Sequence, residues 1–213
     1  MRKKRRDRLV ARAQANPSCG LNYIDETWFV RVPPAGLLNP EAGAGWAPAG
    51  QPPANPSSRK KGKETWSAYL CLDGKEDRVA WRYTAHTNSA ESIAVLEDRL
   101  AVHSARGHRQ LVLVWDAASW HRSRAVKAWQ RAHNQQVLAT GTGVQLVLVE
   151  LPVHAFWLDP VEVIIQHVKG AALPCRTFAG VTEQQAAIDR HLIHRNLHRA
   201  TVEKPEILLR HLH

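Results

Sequence analysis

The sequence predicts an α/β fold: a mixed five-stranded sheet with helices on both faces. Three observations carry this expectation. The first is residues 111–115, LVLVW, five consecutive apolar residues ended by Asp116. An unbroken apolar run of strand length belongs in the middle of a sheet covered on both sides. The second is residues 144–151, VQLVLVEL, another nearly continuous apolar run. The third is order. Three strand-like segments come first, and helical periodicity then alternates with the two apolar runs, giving strand, strand, strand, helix, strand, helix, strand, helix. A meander followed by crossovers builds a mixed sheet.

Each element has its own local reason. Residues 1–17 read as a basic arm or the tail of a helix, closed by Asn16-Pro17. Residues 21–32, LNYIDETWFVRV, are rich in β-branched and aromatic side chains and form the first strand, which carries Asp25 and Glu26. Residues 33–58 contain AGAGWAPAGQPP and read as loop. Residues 64–72, ETWSAYLCL, and 78–85, RVAWRYTA, flank an Asp73-Gly74 turn signal and make two further strands. Asn88 or Ser89 caps a helix with Glu91 close behind; Ile93, Leu96, Leu100 and Val102 or His103 are its apolar face, up to Gly107. A helix over 123–136 turns Val126 and Trp129 inward, and Gly141 and Gly143 break the chain before the fifth strand. Two helices follow, over 159–172 and 182–197. In such a sheet the first strand lies beside the fourth, which brings Asp25 close to Asp116.

The 213 residues suffice for one substantial domain that buries roughly 70% of its unfolded surface. The expected division is a basic arm at 1–17, one domain over 18–200 and a tail at 201–213. Net charge is +10, which points to a polyanionic partner. The positive charge is clustered: in residues 2–12; at Arg59, Lys60, Lys61 and Lys63; and at Arg124, Lys127 and Arg131, spaced along one face of a predicted helix. There is no run of eighteen apolar residues, so no membrane span is expected, and the basic N-terminus lacks the apolar stretch of a secretory signal. Cys19, Cys71 and Cys175 are odd in number and far apart, against a disulfide framework or zinc knuckle and in keeping with a reducing, cytoplasmic setting.

Asp116 has two readings at this level. An acid at the C-terminal end of a core strand stands on the sheet rim, where α/β proteins place their chemistry; Asp also opens turns and caps helices. Glu162, in LDPVEVIIQHVKG, is likewise double. With Asp159 at the N-cap and Pro160 next, it completes a capping box. Its helix also follows a core strand, so the side chain emerges at the rim. Three carboxylates meeting there would repel one another unless cations neutralise them, and hard oxygen donors select Mg2+ or Mn2+. Two such ions about 4 Å apart serve phosphodiester chemistry.

Other patterns are weaker. His191, His194 and His198 share a helical face but lie in no HExxH motif. The GTG at 141–143 lacks a Walker lysine, and Ser119 with His121 lacks a nucleophile elbow. Trp46 and Trp120, near loops, are candidates for stacking on bases.

The chain resembles the catalytic domain of a DDE transposase of the mariner-like group of bacterial insertion sequences. The residues that carry this are YIDETW around Asp25, GWAPAGQPP at 45–53, LVLVWDAASWHRS at 111–123 and LPVHAFWLDPVEVIIQHVKG at 151–170. The resemblance covers roughly residues 18–198. It implies a ribonuclease H-like fold, DNA cleavage at element ends and strand transfer by a 3′-hydroxyl. It makes Asp25, Asp116 and Glu162 a metal-binding triad for two Mg2+ or Mn2+ ions and puts His121 near the scissile phosphate. It also implies double-stranded DNA, both element ends and target, as the partner of a homodimer on the bacterial nucleoid. The expected helix-turn-helix module would come from a separate chain, since this one starts almost at its first strand.

Departures from the pattern stand beside it. Ala117 replaces an Asn, and AFWLDP at 155–160 replaces a Ser-Pro-x-Leu-Asn-Pro run. Ile164 and Ile165 occupy the region of a missing Trp, and 45 residues separate Asp116 from Glu162, more than in most relatives, with the extra length in HNQQVLATGTGVQ. These departures keep a second reading open: a catalytically decayed, non-sequence-specific DNA-binding remnant. A third is a cellular nuclease of the same fold, which hydrolyses without joining.

Overall fold

A computed structural model describes residues 3–31, 64–151, 159–173 and 178–198. The chain runs α1 (Lys3–Ala15), β1 (Cys19–Arg31), β2 (Glu64–Asp73), β3 (Arg78–Thr84), α2 (Ser89–Ala105), β4 (Gln110–Trp115), α3 (Arg124–Thr140), β5 (Gln145–Glu150), α4 (Pro160–His167) with a π-helical turn at Val168–Ala172, and α5 (Val181–His198). The sheet order is β3-β2-β1-β4-β5. β1 pairs antiparallel with β2, and β2 with β3. β1 and β4, then β4 and β5, are parallel. The expected mixed sheet is therefore present, with the first strand beside the fourth. Of the two readings of the N-terminus, residues 3–15 form the helix.

Strand alternation sorts the core into two layers. On one face Ile24, Tyr69, Cys71, Leu111, Leu113 and Trp115 pack beneath Val95, Leu96 and Leu100 of α2 and Val126 of α3. On the other, Phe29, Leu70 and Leu72 meet Val161, Ile164 and Ile165 of α4 and Ile188 and Leu192 of α5. Leu21, Val112 and Val114 lie on this same face, under Ala13, Leu9 and Val10 of α1. Residues 111–115 are all buried, as their composition requires. Trp129 is only half-buried, because its indole Nε1 turns out to donate to Glu97 at 3.2 Å. Cys19 and Cys71 are both buried free thiols.

Capping follows the sequence closely. Asn88 accepts from the Glu91 amide at 3.0 Å, Ser123 from the Val126 amide at 3.2 Å, and Gly141 ends α3 in the left-handed region at φ 68°. No helix among the described residues is long and apolar enough to cross a membrane.

Strand register positions two of the acids. The parallel pairing of β1 with β4 ends at Tyr23↔Val114, so the next residue on the same face of each strand is Asp25 and Asp116. β1 then continues alone on that side, paired only to β2, as far as Arg31↔Glu64. The acids thus stand at the crest where β4 stops and β1 runs on.

Candidate active site

Asp25 shares its strand face with Tyr23 and Phe29, the face that α4 covers. Its Oδ1 accepts from the Glu26 amide at 2.8 Å. Burial pushes its carboxyl up to about 8, reinforced by the charges of Asp159, Glu26 and Asp116. Asp116, half-exposed beyond the last residue of β4, accepts from the Ala118 amide at 2.9 Å and from His121 Nδ1 at 2.8 Å. Burial opposes its ionisation, but these two donors hold it below the usual carboxylate range.

His121 is the hinge of the cluster. Its side chain is fully buried and its ring lies flat on Trp115, with centroids 4.1 Å apart. Nδ1 faces Asp116 and Nε2 bonds Glu26 Oε1. With an acceptor at each nitrogen, both must carry hydrogen, so the ring is an imidazolium. Burial alone would favour the neutral form; Asp116 and Glu26 outweigh it and raise the pKa to about 9. Trp120 Nε1 also donates to Glu26 Oε1, at 3.3 Å.

α4 brings two more acids. Asp159 Oδ1 accepts from the Val161 amide at 3.0 Å, the expected N-cap. The rest of the capping box is not formed: the Glu162 side chain accepts from Gln166 Nε2, one turn on, instead of reaching back. Asp159 is only 5% exposed, and its Oδ2 is buried without a hydrogen-bond partner among the described residues. Burial pushes its carboxyl up to about 7, against the cap bond, with the charges of Asp116, Glu162 and Glu26 adding to the rise.

The structure therefore sets Asp25 level with Asp116, as β1 beside β4 requires, with Asp159 in electrostatic reach of both and Glu162 in reach of Asp159. It adds two acids beyond the three singled out from sequence. Glu26 was visible as a second acid beside Asp25 in the first strand. Asp159 was visible only as a cap. His121 belongs to the cluster through both nitrogens, so the Ser119–His121 hydrolase pair does not form.

The residues fit a divalent cation. Oxygen donors of the kind a hard cation takes lie at this rim, one of them a buried Asp159 oxygen with no hydrogen-bond partner among the described residues, and the Asp25 carboxyl is held far above its ordinary range by burial and by neighbouring acids. Among the described residues, the one trio of His, Cys, Asp or Glu with ligand atoms mutually within 4.8 Å is Glu26, Asp116 and His121. That trio is already satisfied internally by the imidazolium. The histidines of α5 make no such group; His194 and His198 pack ring to ring at 4.2 Å.

Of the basic clusters, Arg124, Lys127 and Arg131 are exposed along α3, whose N-terminus follows the His121 loop. Arg59, Lys60, Lys61 and Lys63 lie outside the described residues, as does Trp46.

The family model described as DDE superfamily endonuclease matches residues 21–183. Among solved structures the fold is similar to a Mos1 transposase paired-end complex with left transposon end, at TM-score 0.59 and 16% identity over 100% of this chain and 59% of that one. It is similar to a Mos1 mariner paired-end complex with Mn, at TM-score 0.59 and 16% identity over 100% and 60% of the two chains. It is also similar to the catalytic domain of Mos1 mariner transposase, at TM-score 0.51 and 16% identity over 100% and 89%. At such identities the likeness is one of fold. The chain spans 59% of the length of the first of these proteins. No curated protein matches the sequence.

Proposed function

Because the chain belongs to the DDE superfamily of endonucleases, we propose that it is the catalytic domain of a mariner-like transposase of bacterial insertion sequences. It cuts DNA at element ends and joins the resulting 3′-hydroxyl to target DNA. The observation that supports this reading is the β1–β4 register, which ends at Tyr23↔Val114 and so sets Asp25 level with Asp116, with Asp159 acting electrostatically on Asp25.

In this proposal Asp25, Asp116 and Glu162 are the ligands of two Mg2+ or Mn2+ ions. When bound, the ions supply activation of the attacking oxygen and stabilisation of the leaving one. The chain's own residues do the rest. His121 fixes the Asp116 carboxylate through Nδ1 while neutralising Glu26 through Nε2, so the ligand is held before substrate arrives. The stack on Trp115 sets the plane of the ring. Arg124, Lys127 and Arg131 contact phosphates of double-stranded DNA, which positions the duplex without reading its sequence. The working form is a homodimer on DNA in the bacterial cytoplasm.

The test is Asp116→Asn. The variant should keep the circular dichroism of the parent and lose Mg2+-dependent nicking and joining of element-end DNA by at least a hundredfold. Unchanged activity would remove Asp116 from the chemistry. DNA binding by the parent with no metal-dependent cleavage would favour the decayed remnant. Cleavage without joining would favour a nuclease.

A further inference from the structure

We propose that Asp159 is a fourth carboxylate of the metal centre and binds a divalent cation through the Oδ2 that the helix cap leaves free. The inference rests on the metal-dependent function proposed for this site and extends its ligand set.

The cap does not account for the acid. An N-cap needs one acceptor, and Oδ1 provides it to the Val161 amide at 3.0 Å. Asn or Ser would serve as well. Asp adds a second oxygen, and the fold buries it without a donor: the residue is 5% exposed and Oδ2 has no hydrogen-bond partner among the described residues. A buried, unsatisfied carboxylate oxygen is costly unless a positive charge meets it. Its surroundings make the cost larger. The charges acting on Asp159 from the site are those of Asp116, Glu162 and Glu26, all negative. Asp159 is in turn the strongest charged neighbour of Asp25. The buried cation of the site, the His121 imidazolium, is engaged with Glu26 and Asp116.

Asp159 therefore interacts electrostatically with Asp25, Glu26 and Asp116 on one hand and with Glu162 on the other. A hard divalent ion satisfies the free oxygen and the surrounding charge at once. The cap bond also fixes the ligand: Oδ1 is tethered to the backbone, so Oδ2 has one direction left. This is how a rigid element presents a ligand with little freedom to lose on binding.

The experiment is Mn2+ binding to the full chain, read by the electron paramagnetic resonance signal of free Mn2+, in the parent, Asp159→Asn and Asp116→Asn. Asp159→Asn keeps an acceptor for the cap, and circular dichroism verifies its fold. It should weaken Mn2+ binding at least tenfold or remove one equivalent, as Asp116→Asn does. It should also shrink the rise in Tm that Mn2+ gives the parent. Parent-like affinity and stoichiometry in Asp159→Asn, with loss in Asp116→Asn, would overturn the inference and leave the proposed function intact. Absence of Mn2+ binding by the folded parent at millimolar concentration would overturn both. Should Asp159→Asn fail to fold, Asp159→Ser supplies the cap without a second oxygen and is judged by the same outcomes.

Discussion

His121 shows how one residue sets the electrostatics of a site. It keeps a proton at neutral pH because two acids flank it, and it leaves Asp116 ionised and oriented. Asp25 and Asp159 have no such partner among the described residues, and burial with their neighbours drives both upward. The consequence for stability has a definite sign. Asp25 moves from 3.8 to about 8, Asp159 from 3.8 to about 7 and His121 from 6.5 to about 9. In all three the native state holds a proton to higher pH than the unfolded chain does. Their contribution is fully present below the unfolded values and is lost as pH rises through the folded ones. Asp116 works oppositely, losing its contribution only in acid as pH falls through its depressed pKa. The Tm of the metal-free protein should therefore fall as pH rises from about 5 to 9, and Asp25→Asn should flatten that decline. A Tm that holds steady or climbs over this range would contradict the charge arrangement. Asp116 was legible in the sequence because an acid ending an apolar run is conspicuous. Asp159 and Glu26 were visible as acids but not as members of the site, because a cap and a strand position explain them locally. Their roles exist only once α4 and the 116–121 loop have docked.

At the scale of elements, the site depends on a long β1 that overhangs β4. The overhang is anchored at its far end by close packing. β1 passes so near α2 that a Cβ on Gly20 would fall 2.4 Å from His103 Nδ1. That ring has little room to retreat. It is 1% exposed, its Nε2 lies 2.9 Å from Asn22 Oδ1 and its Nδ1 lies 2.7 Å from His108 Nδ1. Gly20→Ala should thus destabilise the fold by about 1–3 kcal/mol, the usual cost of overpacking, although Ala is otherwise the better strand residue. Urea unfolding checks this, and a loss under about 0.5 kcal/mol would show that the ring yields. The strands and helices themselves were legible because each carries its own periodicity and caps. The capping box expected at α4 forms only in part, since Glu162 turns to Gln166. One helical turn offers a glutamate both partners, and local pattern does not choose between them.

The whole molecule carries a net charge of +10 while its rim concentrates acid, so a duplex would be attracted by the surface and admitted to the acids only with cations present. The exposed basic face of α3 begins where the His121 loop ends, which orients that attraction toward the site. Replacing Arg124, Lys127 and Arg131 with Gln should weaken DNA binding at low salt. It should also lower the slope of log affinity against log salt by about 2–3, close to 0.9 for each lost phosphate contact. An unchanged slope would take α3 out of the interface.

The sequence by itself determined the order of strands and helices, the mixed character of the sheet and the two acids at the crest. These follow from hydrophobic period and turn chemistry, which act over a few residues. Only the tertiary structure decided which acids act on one another, which of them is held by an imidazolium and which keeps a buried oxygen without a partner among the described residues. Those distances span residues 25, 116 and 159. They are set by strand register and helix docking, each the sum of many weak contacts that no local stretch of chain contains.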